Sequence, residues 1–169
     1  MSQGLIGFEE LYRRYAGDVH RFSCWLTGDP DEAKDITSET FVRVWLARSD
    51  VRIESVKAYL FAIARNLWLK DKRRKSRLSP VDAESGEEPS DESAGPDLLT
   101  ELRLDLEETM KAIQTLPEIE RTVLVMKAED SLSYEDIAGA TGLTVANVKV
   151  RIFRARTKIR SILESRQGV

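Results

Sequence analysis

The side chains best suited to chemistry on a polyanion lie near the C-terminal end. Asn147, Lys149, Arg151, Arg154, Arg156, Lys158 and Arg160 follow one another closely, and residues 145–169 carry seven basic side chains against one acid. Guanidinium, ammonium and amide groups at helical spacing suit base edges, while further cations suit phosphates; phosphate contacts position a protein and base contacts specify the sequence. Just before them stand Ala138, Gly142 and Val148. A small residue where two helices nearly touch, a glycine for a turn needing positive φ and an apolar plug are the needs of a helix-turn-helix. A solvated basic helix is the plain alternative, and the Ala-Gly-Val spacing favours DNA reading over it.

Two further groups invite a chemical reading. Tyr59, Phe61 and Trp68 stand beside Arg65, Asn66 and the basic run Lys70 to Arg77, and ten of the twelve aromatic residues lie in the first 79 positions. Most such rings belong in a core. Rings with a cationic groove also hold single-stranded nucleic acid, at about 1–3 kcal/mol per stacked base, and Asn66 has the donor and acceptor edge to read an unpaired base. Asp35 and Glu39 lie one helical turn apart. Paired carboxylates can serve as acid and base, but no pocket-forming context accompanies them, so an exposed acidic face that docks on a basic partner and a plain solvated face stand at comparable odds ahead of a catalytic pair.

Other chemistries find little support. One cysteine, Cys24, excludes an internal disulfide, and with a single histidine, His20, it cannot assemble a zinc set. A lone histidine four residues before a lone cysteine on an aromatic-rich helix reads as core rather than as a nucleophile and its base. Dinucleotide, P-loop and calcium-loop signatures are absent. Neither a cofactor nor a metal is expected.

These groups need helices to position them. The 169 residues are 41% hydrophobic and 33% charged, which suits a soluble, highly charged globular chain. Phe8, Leu11, Tyr12, Tyr15, Val19, Phe22 and Leu26 mark a helix ending near Gly28. Asp29-Pro30 then caps and starts a second, with Ala33, Ile36, Thr40, Phe41, Val44 and Trp45. From a candidate cap at Ser55, Val56, Tyr59, Leu60, Ile63, Ala64 and Leu67 mark a third. Leu99, Leu102, Leu106, Met110 and Ile113 begin the C-terminal half, Leu116-Pro117 resets the chain for Ile119, Val123 and Met126, and Ser133 to Asp136 resembles a capping box. Thr144 can cap a last helix with Val145, Val148, Ile152, Ala155, Ile159 and Ile162 facing inward. No convincing strand pattern occurs.

The net charge of −3 conceals an uneven layout: residues 80–100 hold seven acids and no base, whereas residues 1–79 are net positive. The stretch from Ser79 to Asp97 contains three prolines and one large aliphatic residue, too little to repay ordering. The expected plan is therefore all-α: a domain over 1–78, an acidic flexible linker over 79–97 and a helix-turn-helix domain over 98–169. The longest apolar run, from Tyr59 to Ala64, is too short to span a bilayer and the N-terminus lacks signal-peptide character, so no membrane insertion and a cytoplasmic location are expected.

Together, Asp29 to Trp45, Ala58 to Asn66 with Asp71 to Arg74, Leu116-Pro117-Glu118 with Arg121, Ser133 to Ala138, Val148 to Arg151 and Arg154-Ala155-Arg156 resemble an extracytoplasmic-function (ECF) sigma factor. The resemblance spans nearly the whole chain and implies an RNA polymerase specificity subunit rather than an enzyme. It implies that the N-terminal domain is sigma region two, docking on the polymerase clamp and opening the minus-ten element. The C-terminal domain would be region four, contacting the flap and reading the minus-thirty-five element. By the same resemblance Asp35, Glu39, Phe41, Arg43 and Trp45 fall on the polymerase-binding helix. The 49–55 loop with Asn66 falls where a flipped base is held, and Arg65, Trp68, Lys70, Lys72, Arg73 and Arg74 accompany it along the minus-ten strand. Thr144, Asn147, Lys149, Arg151, Phe153, Arg154 and Arg156 fall at the minus-thirty-five duplex. An anti-sigma factor and a role in a stress response are implied as well.

The chain departs from that family's pattern at Lys34, Ser38 and Tyr59, and in the recognition helix at Ala146, Asn147 and Val150. Two other functions compete: a stand-alone helix-turn-helix regulator binding duplex operator DNA, and a helical enzyme using Asp35 and Glu39. Asn66 with the basic tail speaks against the first, because a simple regulator has no need to hold an unpaired strand. The linker's acids are also expected to repel promoter DNA from the free protein.

Overall fold

The computed structural model describes residues 7–47, 56–78, 98–128 and 132–168. Seven α-helices occupy them, with no strand among the described residues: α1 (Phe8–Thr27), α2 (Pro30–Ala47), α3 (Val56–Leu78), α4 (Leu98–Gln114), α5 (Glu118–Ala128), α6 (Tyr134–Thr141) and α7 (Val145–Gln167). The cap expected at Ser55, the 49–55 loop and the acidic stretch 79–97 lie outside the described residues.

Local chemistry accounts for the helix ends. Gly28 terminates α1 with φ 71°, its N–H reaching the Cys24 carbonyl at 2.8 Å. The next residue starts α2, because the Asp29 carboxylate accepts from the N–H groups of Asp31 and Glu32 at 2.9 and 3.3 Å and Pro30 has no N–H to satisfy in the first turn. Ser133 and Asp136 form a reciprocal capping box at α6, and the Thr144 hydroxyl accepts from the Asn147 N–H to cap α7.

The helices α1, α2 and α3 pack into an N-terminal unit. Its centre is the stacked pair Phe22 and Phe61, with ring centroids 4.2 Å apart and planes within 6°, enclosed by Val19, Leu26, Leu60 and Ala64. The helices α4 to α7 form the second unit around Val123, Met126, Ile137, Val148 and Ile152. There Lys158 of α7 bonds the buried Glu120 carboxylate of α5 at 2.8 Å. The two units touch: α1 packs on α4 and α5, and α3 packs on α6. A single connected apolar cluster includes residues from both.

One apolar stripe behaves differently from its spacing. Leu99, Leu102 and Leu106 predict an inward face for α4, yet they are exposed, as are Leu98 and Leu104, and the helix's buried residues are Ala112 and Ile113 near its C-terminal end. Periodicity identifies an amphipathic helix but not how far along it the neighbours extend.

Candidate nucleic-acid interface

On α2 the inward positions Ala33, Ile36, Thr37, Thr40 and Phe41 are buried, which leaves Asp35, Glu39, Arg43 and Trp45 outside. Glu39 pairs with Arg43 one turn on, at 3.5 Å, and the Trp45 ring meets Phe8 edge to face at 4.9 Å. The helix thus presents an exposed strip with both charges and one aromatic ring. Phe41 does not join it. Its ring is buried against Tyr12, 5.0 Å between centroids, so it braces the helix from beneath.

On α3 the residues expected to meet an unpaired strand divide into two groups. Asn66, Lys70, Arg73 and Arg77 recur at helical spacing and are exposed, giving one row with an amide at one end and cations beyond it. Lys72 and Arg74 are exposed beside that row. Arg65 and Trp68 face the C-terminal unit instead. Arg65 is forked onto the Glu118 carboxylate of α5 at 2.8 and 3.0 Å, and the Trp68 ring is 4% exposed, with the Arg121 guanidinium 5.2 Å from it and the Lys72 ammonium 5.0 Å from it.

The turn between α6 and α7 has the form its residues predict. Gly142 adopts φ 76° with its N–H on the Ala138 carbonyl at 2.9 Å, and Val148 is fully buried where α7 crosses α6. With Val148, Ile152 and Ala155 inward, the opposite side of α7 bears Lys149, Phe153, Arg154 and Arg156. Phe153 is 71% exposed, an unusual position for an aromatic ring. Three of the polar groups are already oriented: Asn147 accepts from Arg151 Nε at 2.9 Å, Lys149 lies 5.2 Å from the Tyr134 ring, and the Thr144 hydroxyl is engaged as the cap. The Asn147 bond leaves the terminal nitrogens of Arg151 for other acceptors.

Sequence reasoning gave no role to the contacts between the units. Arg121 of α5 is 7% exposed and donates to the Leu26 carbonyl of α1 at 2.9 Å, and to the carbonyls of Gln114 and Leu116 in its own unit. Gln114 of α4 donates to the Trp25 carbonyl at 2.8 Å and accepts from Arg121. The last carbonyls of α1, which lack intrahelical donors, are therefore capped by the other unit, and a cation at that end also suits the helix dipole. Burial, opposed by the nearby Glu118, lowers the Arg121 pKa while leaving a guanidinium charged. The signal available in the sequence was the polar run Glu120-Arg121-Thr122 at positions the helix buries.

Acid–base or thiol chemistry gains nothing from the geometry. Cys24 Sγ is 3.8 Å from the nitrogens of His20, and burial, with Asp29 nearby, pushes its thiol pKa up, which favours the protonated form. Among the described residues no cluster of three His, Cys, Asp or Glu is placed to hold a metal, and no helix is long and apolar enough to cross a membrane.

Two helical units, one ending in a helix-turn-helix and the other carrying an exposed amide-and-cation row, define a class of nucleic-acid-directed proteins, and comparison with known proteins narrows it. The Sigma-70 region 2 family matches residues 11–78, and the Sigma-70, region 4 family matches residues 106–159. The ECF RNA polymerase sigma factor EcfG of Rhodopseudomonas palustris is 33% identical over 147 residues, covering 86% of this chain and 78% of that protein. The ECF RNA polymerase sigma factor SigE of Mycolicibacterium smegmatis is 31% identical over 162 residues, covering 92% of this chain; the match spans only 61% of that longer protein. The sigma factor RpoE of Bartonella quintana, solved in complex with the anti-sigma factor NepR, shares the fold with a TM-score of 0.76 at 24% identity, over 93% of this chain and 96% of that one. The chain belongs to the ECF RNA polymerase sigma factor family.

Proposed function

We propose that this chain binds core RNA polymerase and directs promoter-specific initiation of transcription. The reading is supported by two unlike exposed faces in one chain of this family: the basic face of α7, the second helix of a helix-turn-helix, and the amide-and-cation row on α3. Neither face is large, and each becomes effective when the polymerase fixes their separation, because linked weak sites act at a high effective concentration. The exposed strip of Asp35, Glu39, Arg43 and Trp45 on α2 docks on the polymerase clamp, with Phe41 supporting it from the core.

On α3, Asn66 captures a flipped base of the minus-ten strand, offsetting an unstacking cost of a few kcal/mol. Lys70, Lys72, Arg73 and Arg74 follow its phosphates. On α7, Arg151 and Arg154 read base edges of the minus-thirty-five duplex, Phe153 meets apolar groups in the groove, and Lys149 and Arg156 hold phosphates. The protein works in the cytoplasm with the polymerase. An anti-sigma protein restrains it until a stress signal arrives, in keeping with the NepR complex of the Bartonella quintana relative.

The test is transcription with purified core polymerase and a library of promoter-length duplexes. Transcripts with defined 5′ ends, dependent on the chain and reduced on Asn66→Ala and on Arg154→Ala, are expected. Duplex selection without polymerase, together with no binding to core, would contradict the proposal and leave a stand-alone regulator.

A further inference from the structure

We infer that Val150, with Ala146 and Phe153 on either side of it, reads thymine methyl groups in the major groove of the minus-thirty-five duplex. The inference deepens the proposed function and rests on it for the placement of α7 on DNA. The apolar row itself rests on geometry, and a helix that only held phosphates would have no use for it.

The row follows from the helix repeat. The inward positions of α7 are Val148, Ile152 and Ala155, spaced by four and three residues. Ala146, Val150 and Phe153 have the same spacing, each two positions earlier, and two positions correspond to about 200° of rotation. They therefore run down the middle of the outer face. All three are exposed, Val150 at 47% and Phe153 at 71%. Polar side chains border the row: Asn147, Arg151 and Arg154 along one edge, Lys149 and Arg156 along the other. The three apolar residues stand within the first nine of the helix's 23, at the end that contacts base edges in a helix-turn-helix. Ala146 and Val150 both depart from the family's pattern, so the row is a property of this chain rather than of the fold.

Base edges in the major groove offer hydrogen-bond donors and acceptors and a single apolar group, the C5 methyl of thymine. A donor or acceptor pressed against Val150 loses its water and gains no partner, which is costly. A methyl in the same place gains by mutual burial. The row thus favours thymine through the methyl and disfavours a cytosine amino group by leaving it unpaired. From Ala146 to Phe153 the helix rises about 10 Å, or about three base-pair steps at 3.4 Å. The methyls that are read lie within that short run, and Arg154, one turn on from Val150, meets a base pair in it or beside it.

Exchanging thymine for uracil removes the methyl and leaves every hydrogen-bonding group in place, so it isolates this contact. Holoenzyme affinity is measured for the selected promoter with each thymine of the minus-thirty-five element, on either strand, replaced in turn by uracil. With the unaltered chain, one or two neighbouring replacements should weaken binding about fourfold, the effect of burying one methyl-sized group. They should fall beside the pair at which Arg154→Ala relaxes preference. With Val150→Ala the thymine and uracil duplexes should bind alike at one of those positions. Val150 is exposed and alanine suits a helix, so the variant keeps the fold. The readout is the ratio of the two affinities, which a general loss of stability or of positive charge does not move. Lys149→Ala, at a proposed phosphate contact, should lower both affinities and keep the ratio.

Uracil without effect at every position, a ratio that survives Val150→Ala, or a selected element with no A·T pair would each overturn the inference while transcription from defined starts continues. Failure of the proposed function is read separately, as a chain that neither binds core nor supports defined initiation.

Discussion

Glu32 lies where α2 meets α3, 3.7 Å from Lys75, and its carboxyl titrates above the ordinary range because burial outweighs the attraction of that lysine, with Asp71 and Asp29 adding to the rise. A carboxyl with a raised folded-state pKa binds protons more readily folded than unfolded, so its ionisation opposes folding and stability falls as pH rises through its range. Glu32→Gln is expected to be at least as stable as the parent at pH 7 and to lose that advantage below about pH 4. Urea titrations at the two pH values check this. At the proposed DNA faces the expectation differs by contact type. Arg73→Ala should weaken holoenzyme binding about equally across promoter sequences and lower the slope of log affinity against log salt by about 1, whereas Arg154→Ala should also relax sequence preference. Affinity measured on two promoters across a salt series distinguishes them.

At the scale of the helix, caps and turns are where single changes have calculable effects. Ser133→Ala removes one half of the capping box and is expected to cost about 1 kcal/mol. Gly142→Ala places a Cβ at φ 76°, with open space around it, so the cost is the backbone strain alone, about 1–2 kcal/mol. Phe61→Ala, which empties one side of the stack with Phe22, is expected to cost about 3–5 kcal/mol and to unfold the N-terminal unit. Thermal or urea denaturation of each variant measures these.

The same local rules explain what could be read from the sequence. Gly28, Asp29-Pro30, Ser133, Gly142 and Thr144 act through neighbours within four residues, so α1, α2, α6 and α7 were legible at those ends. Residue type could not say which rings and cations lie outside. Phe41, Arg65 and Trp68 occupy helix faces that other elements cover, and the leucines of α4 extend beyond the helices that cover its C-terminal end. Both outcomes depend on where neighbouring helices stop, and spacing along one helix carries no information about that.

For the whole molecule, the division into an N-terminal and a C-terminal helical unit followed from the position of the acidic stretch and from the two separate helical patterns. The docking of one unit on the other did not. It is carried by Gln114, Glu118 and Arg121, which touch main-chain carbonyls and an arginine 53 to 95 positions away. Such contacts are set by three-dimensional placement, and no periodic pattern announces them. We propose that this chain, joined to core polymerase, reads a duplex and opens it. Fluorescence of 2-aminopurine placed in the minus-ten region of the selected promoter reports the opening, because the base brightens on leaving the stack. A rise is expected only when chain, core and promoter are combined, and it should be lost on Asn66→Ala. No rise with the complete set, or the same rise with the chain alone, would show that the chain does not open promoter DNA as part of the holoenzyme.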